Sequence, residues 1–161
     1  MTFHNIPPVF NADSRYLILG SFPSVRSREA EFFYAHPQNR FWRVLAFVFG
    51  TDVPVTTDEK KKLLLENGAA LWDTIASCDI EGSSDTSIKN VVPNDISIIL
   101  VTAKIEKIFC NGGKSYETYM KYIYPTVGIR PVKLPSTSPA NAARSFETIA
   151  EIWRNEILGG K

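Results

Sequence analysis

Apolar residues recur along the chain in two rhythms. Short, nearly unbroken apolar runs at Tyr16–Gly20, Ala69–Ala76, Lys107–Asn111 and Arg130–Leu134 have the length and composition of buried strands. Between them the spacing changes to that of helices. Arg40 to Phe49 carries Phe41, Leu45, Val48 and Phe49 on one face. Thr56 and Glu59 form a capping-box pattern ahead of Leu63, Leu64 and Leu65, and Gly68 ends that segment. Asn94 is placed to cap a helix with Ile96, Ile99, Leu100 and Ala103 on one stripe, and Tyr116, Tyr119, Met120 and Ile123 repeat the spacing. A last helix carries Phe146, Ile149, Ala150, Trp153 and Ile157, with Gly159 and Gly160 behind it.

Strands alternating with helices predict a three-layer α/β/α sandwich around a central four-stranded parallel sheet, residues 1–161 forming one domain. Sheets of this kind hold their ligands beyond the carboxyl ends of the strands. That rule selects the loops at Gly20–Ser24, after Trp72, at Asn111–Gly113 and at Pro135–Asn141.

Composition narrows the choice. With 44% hydrophobic and 22% charged residues the chain reads as soluble and globular, and its start lacks the pattern of a secretory signal, so the cytoplasm is the expected compartment. The only cysteines are Cys78 and Cys110 and the only histidines His4 and His36, none paired at metal-ligand spacing; neither metal nor cofactor is expected. A net charge of +1 does not announce a nucleic-acid partner, although Arg26, Arg28, Arg40 and Arg43 outnumber Glu29 and Glu31 within residues 20–43. No G-x-G-x-x-G or P-loop pattern occurs. A hydrolase triad in Ser…Asp…His order is excluded, because Ser21 is not in a G-x-S-x-G elbow and no histidine follows His36.

The candidate chemistry lies in three segments. LILGSFPS ends the first strand; Gly20 permits a sharp turn, Pro23 stiffens the exit, and the amides of Ser21 and Phe22 can point into a site. FFYAHPQNRFW at 32–42 gathers aromatics, a histidine and an amide before a helix that Asn39 can cap. In LPSTSPANAARSF, Ser138 can cap the final helix with Pro139 at its first position, and the hydroxyls and amides of Ser136, Thr137 and Ser138 form an anion site suited to a backbone phosphate.

GSFPS at 20–24, YAHPQNRFW at 34–42 and LPSTSPANA at 134–142 together resemble the motifs of the uracil-DNA glycosylase superfamily, and most of all its hypoxanthine-DNA glycosylase branch. The similarity runs in consistent order from Tyr16 to about Ser145. It implies the four-stranded sheet, DNA at the strand ends, and hydrolysis of the N-glycosidic bond of a deaminated base flipped from the helix. Tyr34 matches the aromatic that stacks on that base, and Gly20–Phe22 the loop over the base and the attacking water. Ser138, Pro139, Ala140 and Asn141 match the loop that enters the duplex or holds a flanking phosphate. Uracil-cleaving members carry Asp or Asn where this chain has Phe22, a loss the hypoxanthine branch shares while relying on the Asn of its HPxN motif, here Asn39. Iron–sulfur branches need four cysteines, which this chain lacks.

Asn39 is therefore the expected catalytic residue, as a donor to the base carbonyl and, through its own oxygen, as a guide for water. His36 is expected at a phosphate or the base, and Asn111 at a base edge or as a turn residue. Asp73 and Asp85 are near the expected site without assigned roles. The expected partner is DNA containing a deaminated base, bound by a monomer that needs no membrane. Two rival readings are a mismatch uracil or thymine glycosylase and a lesion-binding module without chemistry.

Overall fold

The computed structural model describes residues 1–159. A two-residue strand, β1 (Thr2–Phe3), precedes β2 (Tyr16–Gly20), after which come α1 (Val25–Ala30), α2 (Phe41–Phe49) and α3 (Thr57–Glu66). Strands β3 (Ala69–Asp73), β4 (Ile75–Asp79) and β5 (Lys89–Pro93) follow, then the short α4 (Ser97–Leu100) and β6 (Lys107–Asn111). The chain closes with α5 (Gly113–Thr118), a π-helical turn at Tyr119–Ile123, α6 (Tyr124–Val127), β7 (Pro131–Leu134) and α7 (Phe146–Leu158).

The central sheet has the order β3-β2-β6-β7 with every pair parallel, and helices flank it. Leaving β2, the chain moves to β3 on one side; leaving β6, it moves to β7 on the other. Right-handed crossovers then put the intervening helices on opposite faces, and the carboxyl ends of β2 and β6 part at a topological switch point. Every residue of β2 and β3 is buried, as a strand covered on both faces requires. On one face α2 packs against α7, where Phe41 meets Trp153 edge-on with centroids 5.8 Å apart.

Three indole N–H groups fasten loops to this core. Trp42 Nε1 donates to Phe33 O, Trp72 Nε1 to Ile6 O and Trp153 Nε1 to Pro135 O. They secure the segment before α2, the amino-terminal segment and the loop after β7.

Several elements differ from the sequence expectation. The run Ala69–Ala76 is two strands, because β3 ends at Asp73 and β4 joins a separate antiparallel sheet of order β1-β4-β5. The second sheet leaves little sequence trace: β1 has two residues and β5 has none that is buried. Asn94 does not cap α4; its Nδ2 donates to Asp73 O, while Asp95 Oδ1 accepts from Ser97 N. Ser138 does not cap the last helix either. That helix starts at Phe146, and Ser145 caps it by accepting from Thr148 N. Ser138 Oγ instead accepts from Ala140 N inside the preceding loop. The capping box of α3 forms as expected, Thr56 Oγ1 accepting from Glu59 N and Glu59 Oε1 from Thr56 N. Gly159 closes α7, and Gly160 lies outside the described residues.

Trp153 is fully buried between α2 and the sheet and also anchors the loop after β7. Replacing it with Ala is expected to cost about 3–5 kcal/mol of folding free energy. Urea unfolding followed by circular dichroism would measure the loss.

Candidate functional site

A cavity of about 340 Å³ opens at the switch point, within the size range of small-molecule sites. Gly20, Ser21 and Phe22 form one wall, Tyr34, His36 and Asn39 another, and Asn111 with Ser136–Ala140 a third. Asp73 and Asp85 also line it. Of the residues picked from the sequence, only Asn141 stands outside this wall; its Nδ2 donates to Ser136 O and its N to Ser138 O, so it shapes the loop from behind.

Three distant segments are tied together by one chain of hydrogen bonds. Asn111 Nδ2 donates to Tyr34 Oη at 3.1 Å and to Thr137 Oγ1 at 3.0 Å, and Asn111 Oδ1 accepts from Thr137 N at 3.1 Å. Thr137 Oγ1 donates to Asn39 Oδ1 at 2.9 Å, and Phe41 N donates to the same oxygen at 2.9 Å. α2 starts at Phe41, one residue later than expected, with Arg40 as its N-cap residue, and Asn39 satisfies the first helical amide from the position before it. Its oxygen is fully engaged by two donors, so the expected guidance of water by that oxygen is not met. Its Nδ2 has no partner among the described residues and remains a donor. Asn111 belongs to the same network: both protons of its Nδ2 go to Tyr34 and Thr137 and its Oδ1 accepts from Thr137 N, so it braces the wall that it lines.

Tyr34 holds a left-handed backbone, φ 53°, a costly state for a bulky residue. Its surroundings fix it there. The ring stacks on Phe41 with centroids 3.9 Å apart, and the following amide, Ala35 N, donates to the buried Ser27 Oγ. Phe41 covers one ring face, which leaves a base only the other. Because Tyr34 Oη accepts from Asn111, its own proton is free. Burial first, and the nearby Asp73 second, push its ionisation well above the ordinary tyrosine value, so it stays a neutral donor.

The turn after β2 differs in detail from expectation. Gly20 is not in the left-handed region; its need for a hydrogen side chain is close approach, since a Cβ there would lie 2.7 Å from Asp73 Oδ1 and 2.8 Å from Tyr34 Oη. The amides of Ser21 and Phe22 donate to no group among the described residues. Phe22 itself is 8% exposed, packs with Ile75, Cys78 and Ile88, and meets His4 edge-on, so it is chiefly a wall. His36 Nδ1 accepts from Gln38 N at the rim, and Ser136 Oγ accepts from Ser138 N.

Arg40 is a feature the sequence did not reveal beyond a helix start. Its guanidinium donates to the carbonyls of Thr137, Ser138, Asn141 and Arg144, and its backbone N also donates to Thr137 O. One side chain next to Asn39 thus holds the whole loop after β7. A fork bonding four carbonyls is a use lysine cannot reproduce.

Asp73 is 3% exposed, and its Oδ2 has no hydrogen-bond partner among the described residues. His4 Nε2 lies 3.7 Å from that oxygen but donates to Ile75 O, while His4 Nδ1 accepts from Ile6 N, a pattern that defines a neutral imidazole. Burial lowers the His4 pKa and keeps it neutral. Burial and then repulsion from Asp85 raise Asp73 from the usual carboxylate range to about 8. Asp85 accepts from Ser21 Oγ at 3.0 Å. It is reached by solvent at the rim, yet the protein around it raises its pKa too, against the pull of the Ser21 hydrogen bond and of Lys114. Among the described residues no cluster of three or more His, Cys, Asp or Glu could hold a metal ion, and no helix is long and apolar enough to cross a membrane.

The cavity lies where open parallel α/β sheets hold their ligands. Residues 7–155 match the family model described as the uracil DNA glycosylase superfamily. The chain is 33% identical to a hypoxanthine DNA glycosylase of Methanosarcina barkeri over 95% of this chain and 96% of the relative. It is 34% identical to a hypoxanthine DNA glycosylase of Methanosarcina acetivorans over 88% and 89%. A solution NMR structure of a candidate uracil DNA glycosylase from Methanosarcina acetivorans superposes with a TM-score of 0.79 at 30% identity, covering 94% of this chain and 96% of the other. The chain belongs to the uracil DNA glycosylase superfamily.

Two outcomes follow from the site. Arg40→Ala should speed amide exchange at Thr137 and Asn141 by at least about tenfold, since it removes several hydrogen bonds from a charged donor worth about 1.5–3 kcal/mol each; hydrogen exchange read by NMR would detect it. Because folding raises the pKa of Asp73, the folded state binds its proton more tightly than the unfolded state. Stability contributed by this group is therefore present in acid and lost as pH rises through about 8. Urea unfolding from pH 5 to 9 should show that loss, and Asp73→Asn should reduce it.

Proposed function

We propose that this enzyme hydrolyses the N-glycosidic bond of hypoxanthine in deoxyinosine-containing DNA, the base being flipped into the cavity at the switch point. The observation that carries the reading is the set of unused donors there: Asn39 Nδ2, the Tyr34 hydroxyl and the amides of Ser21 and Phe22. Both relatives' names support it.

Bond breaking puts positive charge on the sugar and negative charge on the departing base. Preorganised donors stabilise the latter without reorganising during the reaction. Deamination replaces an amine with a carbonyl oxygen, so donors in the cavity favour hypoxanthine and are poorly matched to the amine of adenine. Flipping costs a few kcal/mol, least for a mispaired base. Stacking on the open face of Tyr34 returns roughly 1–3 kcal/mol of it. The loop at Ser136–Ala140 would meet the flanking backbone, held in place by Arg40. The chain would act as a monomer with no cofactor.

Labelled duplexes containing inosine, xanthine, uracil or a thymine mismatch would test the base. Inosine should be opened fastest, and preferential opening of uracil would replace this reading with a uracil glycosylase. Asn39→Ala should lower the single-turnover rate by about 10²–10³. Asn39→Asp keeps the oxygen that accepts from Phe41 N and Thr137 Oγ1 but replaces the free donor with an acceptor. It should fold normally and lose as much activity; retained activity would remove Asn39 from the donor set.

A further inference from the structure

Resting on the purine reading above, we infer that Asp73 is the general acid of the reaction, protonating the departing base. Asp73 carries a carboxyl group for which the fold offers no structural use. Asp73 is almost fully buried, its Oδ2 meets no donor among the described residues, and it nevertheless lines the cavity. Burying an unpartnered polar atom is costly, and native proteins rarely do so without a function. Gly20 adds an independent sign, because any Cβ at that position would meet Asp73 Oδ1 at 2.7 Å. The turn keeps this carboxyl uncovered.

The groups around Asp73 leave it protonated. From the amino-terminal segment, His4 is neutral and directs its N–H to Ile75 O. From the segment before α2, Tyr34 is neutral. From the rim, Asp85 repels a second negative charge, and Lys114 acts on Asp85. Arg28 acts on His4. No cation forms an ion pair with Asp73 among the described residues. A carboxylic acid that keeps its proton near neutral pH is suited to give it up in a transition state.

The step balances as hydrolysis. The C1′–N9 bond breaks and its electron pair moves into the purine ring. The Asp73 O–H bond breaks and N7 takes the proton, so the base leaves neutral. Water adds its oxygen to C1′ and loses a proton to solvent, from which Asp73 is reprotonated. Asn39 and the Ser21 and Phe22 amides stabilise charge on the base; Asp73 removes it.

The test uses the full chain, wild type and Asp73→Asn, in single-turnover cleavage of an inosine-containing oligonucleotide between pH 5.5 and 9.5. The wild-type rate should fall as pH rises through about 8. Asp73→Asn, nearly isosteric and verified as folded by thermal unfolding, should be slower by about 10²–10⁴ at pH 6.5 and lose that alkaline limb. A substrate with 7-deazahypoxanthine lacks the proton acceptor. It should be slow with the wild type, and Asp73→Asn should slow it little further. Wild-type rate and pH profile in Asp73→Asn would overturn the inference, as would an equal loss on both substrates. A wild-type enzyme that opens another deaminated base but not inosine would overturn the base assignment instead.

Discussion

The site depends on a single hydrogen-bonded chain, Tyr34–Asn111–Thr137–Asn39, that joins three segments more than twenty residues apart at their nearest. Each link uses an atom that would otherwise face the cavity. Both protons of Asn111 Nδ2 are used, Asn39 keeps its nitrogen, and Tyr34 keeps its proton. Donors remain among the free atoms, Asn39 Nδ2 and the Tyr34 hydroxyl, and they suit a ligand that presents carbonyl oxygen or accumulates negative charge. The strain in the Tyr34 backbone belongs to the same arrangement, because the stack on Phe41 and the bond from Asn111 hold the ring where an unconstrained residue would not stay.

Electrostatics reinforce the geometry. The cavity contains two carboxyl groups, Asp73 and Asp85, and the neighbouring His4 brings no charge to balance them. Ionising both would concentrate like charge in a poorly hydrated space, so Asp73 keeps its proton. Arg40, the one guanidinium beside Asn39, is spent on four backbone carbonyls, so it shapes a loop rather than supplying charge to a ligand.

How far the sequence could be read varied with the range of the interaction. The strands at 16–20 and 107–111 and the capping box at Thr56 and Glu59 depend on neighbours in the chain, and they stand where the pattern put them. The cap at Ser138 failed because several serines precede the last helix, and local chemistry permits either start. Arg40 decides between them by binding the carbonyls of Ser138, Asn141 and Arg144, which keeps that loop out of the helix. Asn94 failed for a similar reason: the end of β3 claims its side chain. The small sheet was hidden because β1 is brief and β5 has too little buried surface to leave an alternation.

By itself the sequence determined the parallel sheet, its four strands and the main helices between them, the loops at the strand ends and the residue types gathered in them, because apolar periodicity and capping are short-range and each residue carries its own share of them. Only the tertiary structure decided which atoms of those residues remain available. Asn39 as donor, Asn111 as brace and Asp73 as a protonated carboxyl are outcomes of contacts across the switch point, where desolvation and hydrogen-bond partners come from segments that meet only once the sheet has formed.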